Sequence, residues 1–139
     1  IPEGVSLDNL TTPEEARNFV EATGVDLFAP AVGNIHGMLR GGGEPALHPD
    51  LVKNIREASG VPLVLHGGSG TSDDDFKKVI AAGISVIHIN TELRLAYRNA
   101  LRKSLQENPD EIAPYKFMRE AVKEMTEVVE KRLKLFNNL

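Results

Sequence analysis

Val61-Pro62-Leu63-Val64-Leu65-His66-Gly67-Gly68-Ser69-Gly70-Thr71-Ser72-Asp73-Asp74-Asp75 decides how the rest of the chain reads. Val61 to Leu65 is an apolar run of strand length without alternation, the pattern of a strand covered on both faces. It runs straight into a glycine-rich turn. Ser72 followed by three aspartates then carries the signature of a helix start, a short polar cap ahead of acidic residues in the first turn. A helix from there through Phe76 to Ala82, a stop at Gly83 and a second apolar run, Ile84-Ser85-Val86-Ile87-His88-Ile89, complete a parallel strand–helix–strand unit.

Working outward, the same grammar recurs. Upstream, Thr12-Pro13-Glu14-Glu15 reads as a cap, a proline at the first helical position and acids in the first turn, with the helix running to about Thr23 and stopped by Gly24. Val25-Asp26-Leu27-Phe28-Ala29-Pro30-Ala31-Val32 is predicted as another buried strand, ending in Gly33-Asn34-Ile35-His36-Gly37. Met38-Leu39-Arg40-Gly41-Gly42-Gly43-Glu44-Pro45 is predicted to be a mobile surface loop, a lid candidate. Pro49-Asp50 opens a helix with Leu51, Val52, Ile55 and Ala58 on its apolar stripe and Gly60 as its stop. Downstream, Asn90-Thr91-Glu92 begins a helix to about Leu105, and Asn108-Pro109 breaks the chain. Ile112 to Phe136 reads as one long amphipathic helix with Ala121, Val122, Met125, Val128, Val129 and Leu133 on one side, suited to core packing first and dimer contact second. This alternation predicts an α/β chain whose three strands are parallel neighbours in one sheet. Residues 1–139 read as a single segment, with 107–139 as a C-terminal helical extension within it.

Composition narrows the partners. The 139 residues carry 16 Lys+Arg against 20 Asp+Glu, a formal charge of -4 that argues against nucleic acid or an anionic membrane as general partner. Cysteine is absent, which removes disulfides, thiol nucleophiles and thiolate metal sites and leaves histidine and carboxylate as metal ligands. No run approaches the roughly 20 apolar residues of a membrane span, and the opening Ile1-Pro2-Glu3-Gly4 has no signal-peptide character. A cytoplasmic location is therefore expected. The first residue is not Met, which suggests a processed chain or one cut from something longer.

Of the four histidines, His36, His66 and His88 lie at or within two residues of the C-terminal end of a predicted strand. In parallel α/β folds that rim is where ligands bind, because loops and helix starts converge there. A lone histidine is more often a hydrogen-bonded structural residue. Three in register reverse that preference for His36 and His66, while His48, in a turn before Pro49, keeps it. The small residues from Gly67 to Gly70 let backbone N–H groups and the Ser69 hydroxyl approach an anion, with the helix start adding attraction. Asn90-Thr91 offers a second such start, and two adjacent starts are the phosphate arrangement of barrel enzymes.

Gly33-Asn34-Ile35-His36-Gly37, Leu65-His66-Gly67-Gly68-Ser69-Gly70 and Ile89-Asn90-Thr91-Glu92-Leu93-Arg94, in this order and spacing, resemble the C-terminal half of a class II, metal-dependent fructose-bisphosphate aldolase. The likeness covers essentially the whole chain. It implies the C-terminal portion of a (β/α)8 barrel that cleaves a ketose 1,6-bisphosphate into dihydroxyacetone phosphate and an aldehyde phosphate, or condenses them. Fructose 1,6-bisphosphate is the first expected substrate, tagatose bisphosphate the rival, and a non-catalytic phosphate- or metal-binding half barrel the alternative of another class. By the same resemblance His36 and His66 fall on zinc ligands, with another divalent cation as the alternative. Gly37, Gly67, Gly68, Ser69, His88, Ile89, Asn90 and Thr91 fall on positions that bind the phosphorylated substrate, and the full-length enzyme would be a homodimer or higher homo-oligomer.

Departures from the pattern carry equal weight. His88 stands where the family has Asn, and it can serve as a donor to the bound ketone phosphate, as an additional metal ligand, or as a change of substrate, with donor ranked first. Arg40 matches a basic residue often found in the mobile loop, though a solvated charge reads equally well. Lys116 and Arg119 could reach a phosphate across a subunit interface, but a solvated helix face is the better expectation. The family's first zinc histidine, its acid/base aspartate and an acidic metal-binding residue belong to the N-terminal half, so no catalytic acid/base is expected in this segment. A barrel of this kind takes about 250 residues, which makes the chain read as part of a larger enzyme.

Overall fold

The computed structural model describes residues 10–34 and 46–139. The turn-rich opening, the lid candidate, His36, Gly37 and Arg40 lie outside the described residues. The described chain divides into two compact units, one ending at Ile89 and the other spanning Asn90–Leu139.

In the first unit, caps place the helices where the sequence marks them. At the start of α1 (Pro13–Thr23) the Glu15 N–H donates to the Thr12 hydroxyl at 3.2 Å and the Thr12 N–H donates to the Glu15 carboxylate at 2.8 Å, a reciprocal capping box. Gly24 ends it with its N–H on the Val20 carbonyl. Helix α2 (Pro49–Ser59) packs on α1, buries Val52 and Ile55, and closes at Gly60. Strand β1 (Leu63–Leu65), helix α3 (Asp73–Ala82) and strand β2 (Ile84–Ile87) form the strand–helix–strand unit, with the Ser72 hydroxyl accepting the Asp75 N–H at 3.1 Å. The largest fully buried side chains of the core are Val32, Val52, Ile55, Leu63, Leu65, Phe76 and Val79. Each such side chain contributes about 1.5–3 kcal/mol by leaving water.

The strands β1 and β2 pair in parallel, with Val64 opposite Val86 and Leu65 opposite Ile87. The expected third strand, residues 25–32, is reduced to a single parallel bridge between Phe28 and Leu63. The cause lies in its proline. The Phe28 N–H donates to the Pro62 carbonyl at 3.1 Å and the Val64 N–H to the Phe28 carbonyl at 2.8 Å. The next rung would need an N–H from the residue two further on, and that residue is Pro30. Continuous burial is also absent: Phe28, Pro30 and Val32 face inward to varying degrees, whereas Leu27, Ala29 and Ala31 are exposed.

In the second unit, α4 (Thr91–Glu107) packs along α6 (Arg119–Phe136), and small residues, Ala100 and Ser104 on α4 and Ala121 on α6, are buried. The single helix expected from Ile112 to Phe136 is two. A short α5 (Pro114–Phe117) starts with Pro114 at its first position, and Met118 separates it from α6. The apolar stripe also differs from expectation. Ala121 is buried and Met125 and Val128 are half-buried, but Val122, Val129 and Leu133 are exposed. Arg132, half-buried, joins α6 to the first turn of α4: its Nε donates to one Glu92 carboxylate oxygen at 2.9 Å and its Nη2 to the other at 2.7 Å. Among the described residues no helix is long and apolar enough to cross a membrane.

Candidate functional site

The register of β1 and β2 carries the residues just past them, His66 and His88, to one place at the C-terminal strand ends. Their Nδ1 atoms lie 3.1 Å apart and their ring centroids 4.4 Å, with the ring planes at 77°. The nitrogens approach more closely than the ring centres, so each ring turns its Nδ1 corner to the other. The backbone holds both. The His88 N–H donates to the Leu65 carbonyl at 2.9 Å, extending the ladder one residue past β2. The His66 carbonyl accepts the Asn34 side-chain N–H at 2.9 Å, and the Asn34 side-chain oxygen accepts the Val32 N–H at 2.8 Å.

Asn34 thus ties the end of one chain run to the end of β1, a role the sequence analysis did not assign to it. The signal was present: an amide side chain carries a donor and an acceptor together, and this one follows a strand-ending glycine. That glycine, Gly33, has φ 101° and a Cβ there would sit 2.0 Å from the Ala46 carbonyl oxygen, so no other residue fits. The His48 backbone N–H donates to the Val32 carbonyl at 3.1 Å.

After His66 the chain turns through Gly67, at φ 67°, into a packed loop. Gly68 is buried under Phe76 and Ile89, where a Cβ would meet the Phe76 ring at 3.1 Å and the Ile89 side chain at 3.2 Å. Ser69 is buried, and the Thr71 N–H closes the turn on the Gly68 carbonyl at 3.2 Å. The Thr71 hydroxyl is buried and finds no hydrogen-bond partner among the described residues. Ser72 is spent on capping α3, and Asp73, Asp74 and Asp75 occupy that helix's positive end. The start of α3 is therefore taken up by the chain's own cap and carboxylates.

In the second unit, Asn90 caps α4 without a side-chain cap hydrogen bond, and Thr91 opens the helix. Lys116 is paired with Glu111 at 3.0 Å, as expected of a solvated face. The Ala113 N–H, and then Lys116, hold the Glu111 carboxyl below its usual range. Arg119 lines a cleft of about 400 Å³ with Ser104, Asn108 and Tyr115.

The structure thus brings His66 and His88 together and sets Gly67, Gly68 and Ser69 directly after the first of them. His36 and Gly37 lie outside the described residues. Among the described residues no group of three or more potential metal-ligating side chains forms, so the donor set on view is the imidazole pair, a ligand type suited to zinc and similar divalent ions.

The family model for class-II fructose-bisphosphate aldolase matches residues 3–139. A fructose-bisphosphate aldolase of Thermus caldophilus is 38% identical over 100% of this chain and 54% of its own length. Among solved structures, the YdjI aldolase from Escherichia coli K12 superposes with a TM-score of 0.77 at 42% identity, over 91% of this chain and 46% of its own. Fructose-bisphosphate aldolase from Campylobacter jejuni gives a TM-score of 0.76 at 22% identity, over 94% of this chain and 46% of its own, a likeness of fold. The chain spans about half the length of these relatives, and the α/β architecture is that of the C-terminal portion of a (β/α)8 barrel with a long C-terminal helix. With the match running through essentially all of the sequence, the chain belongs to the class II fructose-bisphosphate aldolase family.

Proposed function

We propose that this chain supplies the C-terminal half of a metal-dependent ketose-bisphosphate aldolase that reversibly cleaves fructose 1,6-bisphosphate to dihydroxyacetone phosphate and glyceraldehyde 3-phosphate. The observation that carries this reading is the placement of His66 at the end of β1, immediately before the loop with buried Ser69, so that a metal ligand and a phosphate loop share one turn. His36 and His66 hold zinc or another divalent cation. When bound, such an ion acts as a Lewis acid on the ketone oxygen and stabilises the carbanion left by carbon–carbon cleavage by several kcal/mol. Gly37, Gly67, Gly68 and Ser69, with the stretch from Ile89 to Thr91, hold the phosphate, and binding energy there orients the reacting carbon. Residues 107–139 serve as a helical extension of the barrel. The same reading makes the full-length enzyme a cytoplasmic homo-oligomer of glycolysis or gluconeogenesis, without nucleic-acid or membrane partners.

An aldolase assay with fructose and tagatose bisphosphates tests it, on the 139-residue chain with zinc and on the same chain joined to the N-terminal half of a relative. The joined form is expected to be active and the chain alone inactive, because the acid/base belongs to the other half. His66→Ala in the joined form is expected to lower kcat/KM by about a hundred-fold or more, the rate equivalent of several kcal/mol. An inactive joined form would leave the chain a non-catalytic half barrel.

A further inference from the structure

From the geometry of the imidazole pair we infer that His88 is a metal ligand, joining His66 through Nδ1 of both rings in one divalent-cation site. This rests on the metal-dependent reading above and changes it. Where the sequence ranked His88 first as a donor to the bound ketone phosphate, the structure sets its ring against His66 instead.

Three observations carry it. First, two nitrogens bound tetrahedrally to zinc at about 2.0–2.1 Å stand about 3.3 Å apart, and the Nδ1 atoms of His66 and His88 are already 3.1 Å apart. Second, the approach is built into the backbone rather than into flexible side chains. The parallel register Leu65–Ile87 makes the two histidines neighbours, the His88 N–H is fixed on Leu65, and the His66 carbonyl is fixed on Asn34. Third, the site is reachable, since His66 is half-buried and His88 exposed, so a cation can enter from solvent.

In the absence of metal the same contact is a hydrogen bond in which one Nδ1–H donates to the other Nδ1. Both rings bind a cation when each carries its proton on Nε2. Loading therefore moves one proton from Nδ1 to Nε2 of the donor ring, with no net proton released from a neutral pair. This tautomer change separates a ligand from a histidine that merely orients His66, because an orienting His88 keeps its Nδ1–H in the loaded state.

The test is long-range proton–nitrogen NMR of the imidazoles in the 15N-labelled chain, titrated with zinc. The expected result is that Nδ1 of both His66 and His88 moves to the metal-bound region while Nε2 of both remains protonated. Cobalt titration followed by visible absorbance is expected to show at least ten-fold weaker binding for His88→Asn, and the same for His66→Ala. A response of His66 alone, or no response of either ring, overturns the inference, whatever the affinities of the variants. The aldolase reading is judged separately by the activity of the joined form. Activity without an Nδ1 response from His88 removes the ligand and leaves the aldolase, whereas a response in both rings with no activity does the reverse.

Discussion

At the scale of single residues, the first unit contains polar groups that are either fully used or conspicuously unused. Asn34 serves two backbone groups, the Val32 N–H and the His66 carbonyl. Asn34→Ala leaves both without that partner, and roughly 1–3 kcal/mol of stability should be lost in urea denaturation. Asn34→Asp should fail to rescue, since a carboxylate cannot donate to the His66 carbonyl. Ser59 is the opposite case. Its hydroxyl, in the last turn of α2, is buried with no partner among the described residues. Ser59→Ala removes a desolvated hydroxyl and gains helix propensity, so a stabilisation of about 0.5–1.5 kcal/mol is expected in the same measurement.

At the scale of elements, helix ends and helix pairs respond to charge in predictable directions. The capping box holds the Glu15 carboxyl below its usual range, first through the Thr12 backbone N–H and then through the Thr12 hydroxyl. A depressed carboxyl contributes stability above its unfolded pKa and loses it as pH falls through the folded value. The protection of the α1 amides, their exchange measured relative to the intrinsic rate at each pH, should therefore fall on going from about pH 5 to about pH 3, and Glu15→Gln should flatten that dependence. Between α4 and α6, Glu92 and Arg132 are only 16% and 13% exposed at their side chains, so Glu92→Gln removes one charge of a bidentate pair held largely away from water. A loss of up to roughly 3–5 kcal/mol is expected, and pairing it with Arg132→Met should recover much of it in a double-mutant cycle. These same elements show what was legible in the sequence. Every helix whose start is marked by Thr12, Pro49 or Ser72 appears where it was expected, because caps are local chemistry. The run from Val25 to Val32 had the hydrophobicity of a strand, but pairing depends on which N–H meets which carbonyl, and Pro30 removes the one that matters. The start expected at Ile112 overlooked Pro114, which takes the first position of α5, and no residue of poor helix propensity marks the break at Met118. The side-by-side histidines followed from strand ends in register. The Asn34 clamp did not, because it joins residues distant in sequence through a side chain with no periodic signature.

At the scale of the whole molecule, the decisive feature among the described residues is a sheet of two strands and one bridge, whose bridging run leaves apolar side chains exposed along one side. Leu27 is 51% exposed, and Ala29 and Ala31 beside it are exposed as well, while the opposite face of the same run carries the buried Pro30 and Val32. In a (β/α)8 barrel the face turned away from the helices is the interior, filled by layers of side chains from alternate strands. If this chain is the C-terminal half of such a barrel, Leu27 belongs to that interior and its energetic weight depends on what closes over it. Leu27→Ala should change the stability of the 139-residue chain by no more than about 0.5 kcal/mol, as for an ordinary surface site. In the form joined to an N-terminal half, the same substitution should cost about 2–5 kcal/mol, the range for emptying a buried leucine site. Urea denaturation of both forms with and without the substitution measures the difference. Equal and small effects in the two would mean that the joined half does not close over this face, and the half-barrel account of the chain would fail with it.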